Sequence, residues 1–259
     1  MAAILHNVKA ARILRPEARL KGQRIALSIR TKLEGMRSVF YFDNWPLLVV
    51  QRVFDRKTGL VAYRKHDLEI LVDHRGGDET GTRECIASDM YSRYLPSLEL
   101  PESISVLDLG ANGGGFPLML RIHQIRLARV VCVEMNPLTA QRLAVNLSLN
   151  VGSAGIAVNR AICDGASHGP EIVMRASRGS TSESIFRDQA DKGPESYSVR
   201  TTTLSALYSE YFENGLIDIC KVDIEGAEYE VFRSTPDDLL LKFRYLLVEL
   251  LMRRRPQHS

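Results

Sequence analysis

The chain has 259 residues, 45% of them hydrophobic and 25% charged, with a formal net charge of +3. That balance excludes disorder over most of the length, and no apolar run reaches the roughly 18 residues a membrane-spanning helix needs. Cys85, Cys132, Cys163 and Cys220 stand far apart with no CxxC pair. They read as reduced core thiols, and with no secretory signal pattern a cytoplasmic setting is expected.

The charge is unevenly spread. Residues 1–34 carry eight Lys or Arg against Glu17 and Glu34, a local +6 that leaves −3 for the rest. Ile4, Leu5, Val8 and Ala11 have helical spacing, Pro16 interrupts, and a weaker periodicity follows from Leu20 to Leu33. This basic helical segment suits an oligomer contact or the surface of an anionic membrane. No nucleic-acid motif accompanies it, and nucleic acid is not an expected partner.

From 38 to 72 the pattern changes to SVFYF, PLLVVQRVF, LVAY and LEILV, with Asp55-Arg56-Lys57-Thr58-Gly59 as turn chemistry between two of these runs. A small antiparallel unit is expected, extending or covering an edge of the main sheet. Residues 79–95 read as one helix with Ile86, Met90 and Tyr94 on a face. Together, 1–83 form an N-terminal extension and 84–259 the main domain.

Past Ile104 strands and helices alternate. ISVLDLGANGGG is a buried strand ending in a glycine turn, FPLMLRIHQI a helix, ARVVCVEMN a second strand and PLTAQRLAVNLSLN a helix stopped at Gly152. GIAVNRAI reads as a third strand, LIDICKV as a fourth and FRYLLVELL as a fifth. Between the third and fourth lie EIVMRA, a strand-like piece, and SVRTTTLSALYSEYF, a strand running into a helix. The fold class is α/β, a doubly wound, mostly parallel sheet of Rossmann-like kind. The Gly- and Ser-rich region 165–198, with Arg175, Arg178, Arg187 and Lys192, reads equally as a lid or as a surface loop.

In such sheets ligands bind beyond the carboxyl ends of the strands. Gly110, Gly113, Gly114 and Gly115 allow close backbone approach at a helix N-terminus, and Asn112 tolerates the left-handed turn. Glu134 ends the second strand 24 residues after Gly110, where a carboxylate can take both hydroxyls of an adenosine ribose. A dinucleotide site would place glycine where Asn112 stands, and Asp108 would repel a pyrophosphate while attracting an ammonium. S-adenosylmethionine, with its ammonium, sulfonium and ribose, fits both acids better than a nicotinamide dinucleotide. The run Lys221-Val222-Asp223-Ile224-Glu225-Gly226-Ala227-Glu228 concentrates charge at the end of the fourth strand, which is costly unless the charges pair or bind something.

VLDLGANGGG, VEMNP, KVDIEGAE and YLLVEL together resemble the FkbM-type S-adenosylmethionine-dependent methyltransferases, over about residues 84 to 250. The resemblance implies that Asp108, Gly110, Ala111, Asn112 and Gly114 cradle the methionine part of the cofactor, that Glu134 takes the ribose, and that Met135 lies beside the adenine. Tyr91 matches a tyrosine the family carries before its first strand and is assigned to the cofactor site. Asp223 and Glu225 line the transfer cleft, Asp223 first as general base, with Lys221 pairing to one of them. His66, His74, His123 and His168 are weaker candidates for a base. Several carboxylates converge, as a metal site would need, but methyl transfer requires no metal and no metal ligands are assigned. The family's acceptors are hydroxyls of sugars, polyketides and related natural products, so a small-molecule or glycan hydroxyl is the implied partner. The competing readings are a non-catalytic methyltransferase-like scaffold and a nicotinamide-dependent oxidoreductase. The resemblance also implies further elements after the fifth strand; only nine residues follow Leu250. That short C-terminus leaves the sheet edge to the strands of 38–72 or to a partner chain.

Overall fold

A computed structural model of the chain describes residues 11–14, 38–54, 59–74, 78–175, 196–224 and 226–249. Its centre is a six-stranded, all-parallel sheet built from β1 (Ala11–Leu14), β4 (Ser103–Leu109), β5 (Arg126–Val133), β6 (Gly155–Val158), β10 (Ile217–Val222) and β11 (Phe243–Glu249). The strand order is β1-β11-β10-β4-β5-β6. Alternate side chains leave opposite faces: Val106, Val130 and Ile219 enter one core, Leu107, Val131 and Cys220 the other. Both faces being covered, the strands carry near-continuous apolar runs rather than a strict polar alternation, with Asp108, Asp218 and Lys221 as buried exceptions. All four cysteines are buried free thiols.

One face is covered by α2 (Asp78–Ala87), α3 (Gly115–Ile122) and α4 (Pro137–Asn150), together with the hairpin of β2 (Leu60–Lys65) and β3 (Leu68–Asp73). Val61, Tyr63, Leu68, Ile70 and Val72 point inward from the hairpin, in the two-residue period of a half-buried ribbon. Its turn is His66-Asp67, with His66 at a positive φ of 54°. Asparagine side chains occupy both outer edges. Asn44 bonds Ala62 O and Arg64 N on β2, while Asn146 and Asn150 bond both backbone groups of Leu71 and Glu69 on β3. A primary amide carries one acceptor and a pair of donors, so it substitutes for a neighbouring strand.

The opposite face is covered by α5 (Leu204–Tyr211), α6 (Glu228–Ser234) and a three-stranded sheet of β7 (Ala161–Ile162), β9 (Ser196–Thr202) and β8 (Glu171–Arg175).

Four local expectations are corrected. PLLVVQRVF is not a strand but α1 (Trp45–Phe54), because Pro46 suits a first helical turn and an unbroken apolar run carries no period of its own. The 79–95 helix ends at Ala87, where the Ser88 hydroxyl accepts from Met90 N and turns the chain into the 3-10 segment Ser92–Ser97. GIAVNRAI divides at Asn159-Arg160 into β6 and β7, which belong to different sheets. Ala11–Leu14, expected within a helical segment, forms β1, and β1 takes the edge of β11 that the hairpin had been expected to fill. An open parallel edge is a template for any short extended segment, and that tertiary demand overrides weak helical spacing. The rest of 1–34, the 55–58 turn, most of the 165–198 region (176–195) and the residues after Glu249 lie outside the described residues.

Candidate active site

The site forms where β5, β4, β10 and β11 end side by side. β4 ends at Leu109, then Gly110 turns at a φ of 75°. A Cβ there would stand 1.8 Å from the carbonyl oxygen of Asp223, so only glycine lets the first and fourth strand ends close on each other. Gly110 N and Ala111 N both donate to Val133 O at 3.0 Å, tying the turn to β5. Asn112 takes a left-handed φ of 52°, its side-chain oxygen accepting from Gly113 N at 2.7 Å. Gly114 starts α3, donating its N–H to Ala111 O.

Glu134 follows β5 directly. One carboxylate oxygen accepts from Asn112 N at 2.9 Å, the other from Asn136 N at 2.8 Å. These two backbone donors fix the orientation of the carboxylate. Asn159 donates to the carbonyls of both Glu134 and Met135 at 2.9 Å. Nothing in GIAVNRAI marked Asn159 for this, because the split of that strand is a tertiary event.

Asp108 and Lys221 face each other across the β4–β10 ladder, in register. Lys221 Nζ lies 3.2 Å from Asp108 Oδ1, 3.1 Å from Gly110 O and 3.6 Å from Asp223 Oδ2. The side chain of Asp108 is fully buried and that of Lys221 nearly so. Burial alone would lower the Lys221 ammonium, but the negative charge of Asp108, the Tyr91 hydroxyl and Asp223 overrides it and holds the pKa well above the ordinary lysine value. Burial raises the Asp108 carboxyl, with Lys221 opposing. Asp108 Oδ2 is buried and has no hydrogen-bond partner.

Glu249, at the end of β11, completes the cluster. Tyr91 donates its hydroxyl to Glu249 Oε2 at 3.3 Å, packs edge-on against Phe116 and sets its ring beneath Lys221 Nζ. Tyr91 thus stands at the start of the 3-10 segment, not inside a helix, and its hydroxyl turns to the β11 side of the cleft. Glu228 accepts from Ile224 N and Gly226 N and so closes the KxDxEGxE turn; Glu225 lies outside the described residues.

The structure therefore brings together Asp108, Gly110, Ala111, Asn112, Gly114, Glu134, Lys221 and Asp223. It leaves three of the four histidines elsewhere: His66 in the hairpin turn, His74 bonded to the Tyr63 hydroxyl, His123 exposed at the end of α3. His168 lines a small pocket with Cys163, Asp164, Ser167 and the first turn of α6. Two residues had gone unnoticed. Gly81 and Thr82 of α2 press on the glycine turn; a Cβ on Gly81 would lie 2.5 Å from Asn112 Nδ2, and Thr82 Oγ1 donates to Asn112 Oδ1. Among the described residues no cluster of His, Cys, Asp and Glu has metal-binding geometry.

A family model described as the methyltransferase FkbM domain matches residues 108–258. The methyltransferase sdnD of Sordaria araneosa is 26% identical over 175 residues, covering 58% of this chain and 67% of that protein. Among solved structures, the M. jannaschii tRNA m1G37 methyltransferase is 16% identical over 42% of this chain and 32% of its own, with a TM-score of 0.30. P. horikoshii TYW2 in complex with MeSAdo is 18% identical over 57% of this chain and 50% of its own, with a TM-score of 0.29. The chain thus spans between a third and a half of those two structures.

Proposed function

The chain belongs to the FkbM methyltransferase family, a class of S-adenosylmethionine-dependent enzymes, and we propose that it methylates a hydroxyl of a carbohydrate or other natural-product acceptor. The observation that carries this reading is the charge imbalance of the cleft. Among the described residues Asp108, Asp223 and Glu249 converge on one ammonium, that of Lys221, and Asp108 Oδ2 is buried without a partner. Acids in excess of cations, one of them fully buried, call for a cationic ligand. S-adenosylmethionine brings an ammonium and a sulfonium; a nicotinamide dinucleotide would bring a pyrophosphate to the same acids.

Asp108 would hold the ammonium, the turn from Gly110 to Gly114 the methionine backbone, and Glu134 the ribose hydroxyls. Met135 would lie beside the adenine. When bound, the cofactor supplies a methyl group on sulfur that reacts by in-line displacement. The chain's own part is alignment and proton removal. Lys221 pairs with Asp223 and so restrains its side chain.

The test is a thermal shift of the purified chain with S-adenosylhomocysteine, with NADH alongside. At about 100 times the dissociation constant, a stabilisation of roughly 2.7 kcal/mol and a rise of about 5–10 °C are expected. The rise should vanish in Glu134→Ala. A shift with NADH alone would overturn the reading; a shift with S-adenosylhomocysteine opens a screen of hydroxylated acceptors by methyl transfer.

A further inference from the structure

We infer that Glu249 is the general base of the methyl transfer and that Tyr91 is its positioning residue, an inference that rests on the function proposed above. The sheet order separates two halves of the cleft. Glu134 and the glycine turn, which would hold the cofactor, crown β5 and β4, whereas β10 and β11 extend the cleft the other way. An acceptor approaching the methyl group from the side opposite the adenosine meets the ends of β10 and β11. Among the described residues the carboxylates of Asp223 and Glu249 stand there, Glu228 being taken up by the backbone of its own turn.

They are not equivalent. Asp223 lies 3.6 Å from the Lys221 ammonium, which is itself held by Asp108 and Gly110 O. An oxygen already engaged by that ammonium is less free to accept a proton from a hydroxyl. Glu249 makes no ion pair among the described residues, and one of its oxygens takes only a neutral phenol, that of Tyr91. The groups facing it are Lys221 from β10, Asp223 just past its end, Tyr91, Glu228 from α6 and the Cys85 thiol from α2; on its other side β1 pairs with β11, position 14 in register with 249. Burial and the Asp223 charge raise the Glu249 carboxyl above the usual glutamate value, with Lys221 and Tyr91 opposing. A raised carboxylate is the stronger base near neutral pH.

In the step, Glu249 takes the hydroxyl proton as an oxygen lone pair forms the new O–C bond. The C–S bond breaks with its electron pair passing to sulfur. The products are a methyl ether, a neutral thioether and protonated Glu249, which returns its proton to water.

The experiment compares wild type, Glu249→Gln, Asp223→Asn and Tyr91→Phe. Calorimetry with S-adenosylhomocysteine should give Glu249→Gln an affinity within about threefold of wild type, showing an intact fold and cofactor site. Its kcat should fall by about 100-fold or more, with the acceptor KM little changed. The acidic limb of the wild-type kcat/KM profile should vanish in Glu249→Gln and move to higher pH in Tyr91→Phe, where the anion loses its donor. In ligand-free protein labelled at the glutamate carboxyl carbon, the resonance missing from Glu249→Gln should titrate above about 4.3. Retained kcat in Glu249→Gln, an acidic limb abolished only by Asp223→Asn, or a Glu249 resonance titrating at the ordinary value would each overturn the assignment. Failure of wild type to bind S-adenosylhomocysteine would instead remove the function on which it rests.

Discussion

Asn146, in the middle of α4, donates its side-chain amide to the carbonyl of Gly113 at 2.7 Å while bonding both backbone groups of Leu71 in β3. One fully buried side chain thus joins the hairpin to the glycine turn that would hold the cofactor. Asn146→Leu would leave those three backbone groups buried and unpaired, at about 1–3 kcal/mol each before relaxation. The expected result is a loss of about 3 kcal/mol in urea unfolding, accompanied by weaker S-adenosylhomocysteine binding. Unchanged affinity would show that the hairpin and the turn are independent.

Gly81 tests the turn from its other side. Replacing a mid-helix glycine by alanine normally stabilises by about 0.5–1 kcal/mol. Here the new methyl would meet Asn112 Nδ2 at 2.5 Å, and Asn112 is held by Gly113 N and Thr82. Gly81→Ala should therefore keep its stability within about 1 kcal/mol of wild type while losing about tenfold in S-adenosylhomocysteine affinity. Calorimetry and a melting curve on the same sample separate the two effects.

Lys221 is the only ammonium within reach of Asp108 and Asp223 among the described residues. Removing one partner of a buried pair costs about 3–5 kcal/mol, because the other charge stays buried. Lys221→Met should show a loss of that order by denaturant unfolding. Adding Asp108→Asn should return part of it, and strict additivity in the double variant would contradict the pairing.

The raised carboxyl of Glu249 has a stability signature with a definite sign. Its native pKa lies above its unfolded one, so its contribution is fully present below the unfolded value and lost as the pH rises through the native value. Glu249→Gln removes that loss. The difference in stability between the variant and wild type should move in favour of the variant as the pH is taken from acid to neutral. A difference independent of pH would show that the side chain is not desolvated.

Fold class, the parallel core and the residues that gather at the ends of its strands were legible in the chain because they rest on local chemistry. A strand that must be buried on both faces is written as a continuous apolar run. A turn that must approach a neighbour or a ligand is written with glycine, and an acid at a strand end is visible by its spacing. Asp108, Glu134, Lys221 and Asp223 could be found in this way.

Tertiary structure decided everything that depends on which edges and faces meet. Leu48 and its neighbours gave an apolar run compatible with strand or helix, settled by Pro46 and by packing on the hairpin. Ala11–Leu14 became a strand because β11 offered an open edge. Glu249 was visible only as the end of the fifth strand; its place beside Asp223 and Tyr91 comes from pairing β11 with β10 and folding residue 91 back over them. Asn146, Asn150 and Asn159 carried no signal at all, since an amide that substitutes for a missing strand is defined by what it bonds. Local sequence determined which elements form and which strand ends carry acid. Only the register between distant segments determined which of those acids is pinned by an ammonium and which is left poised as a base.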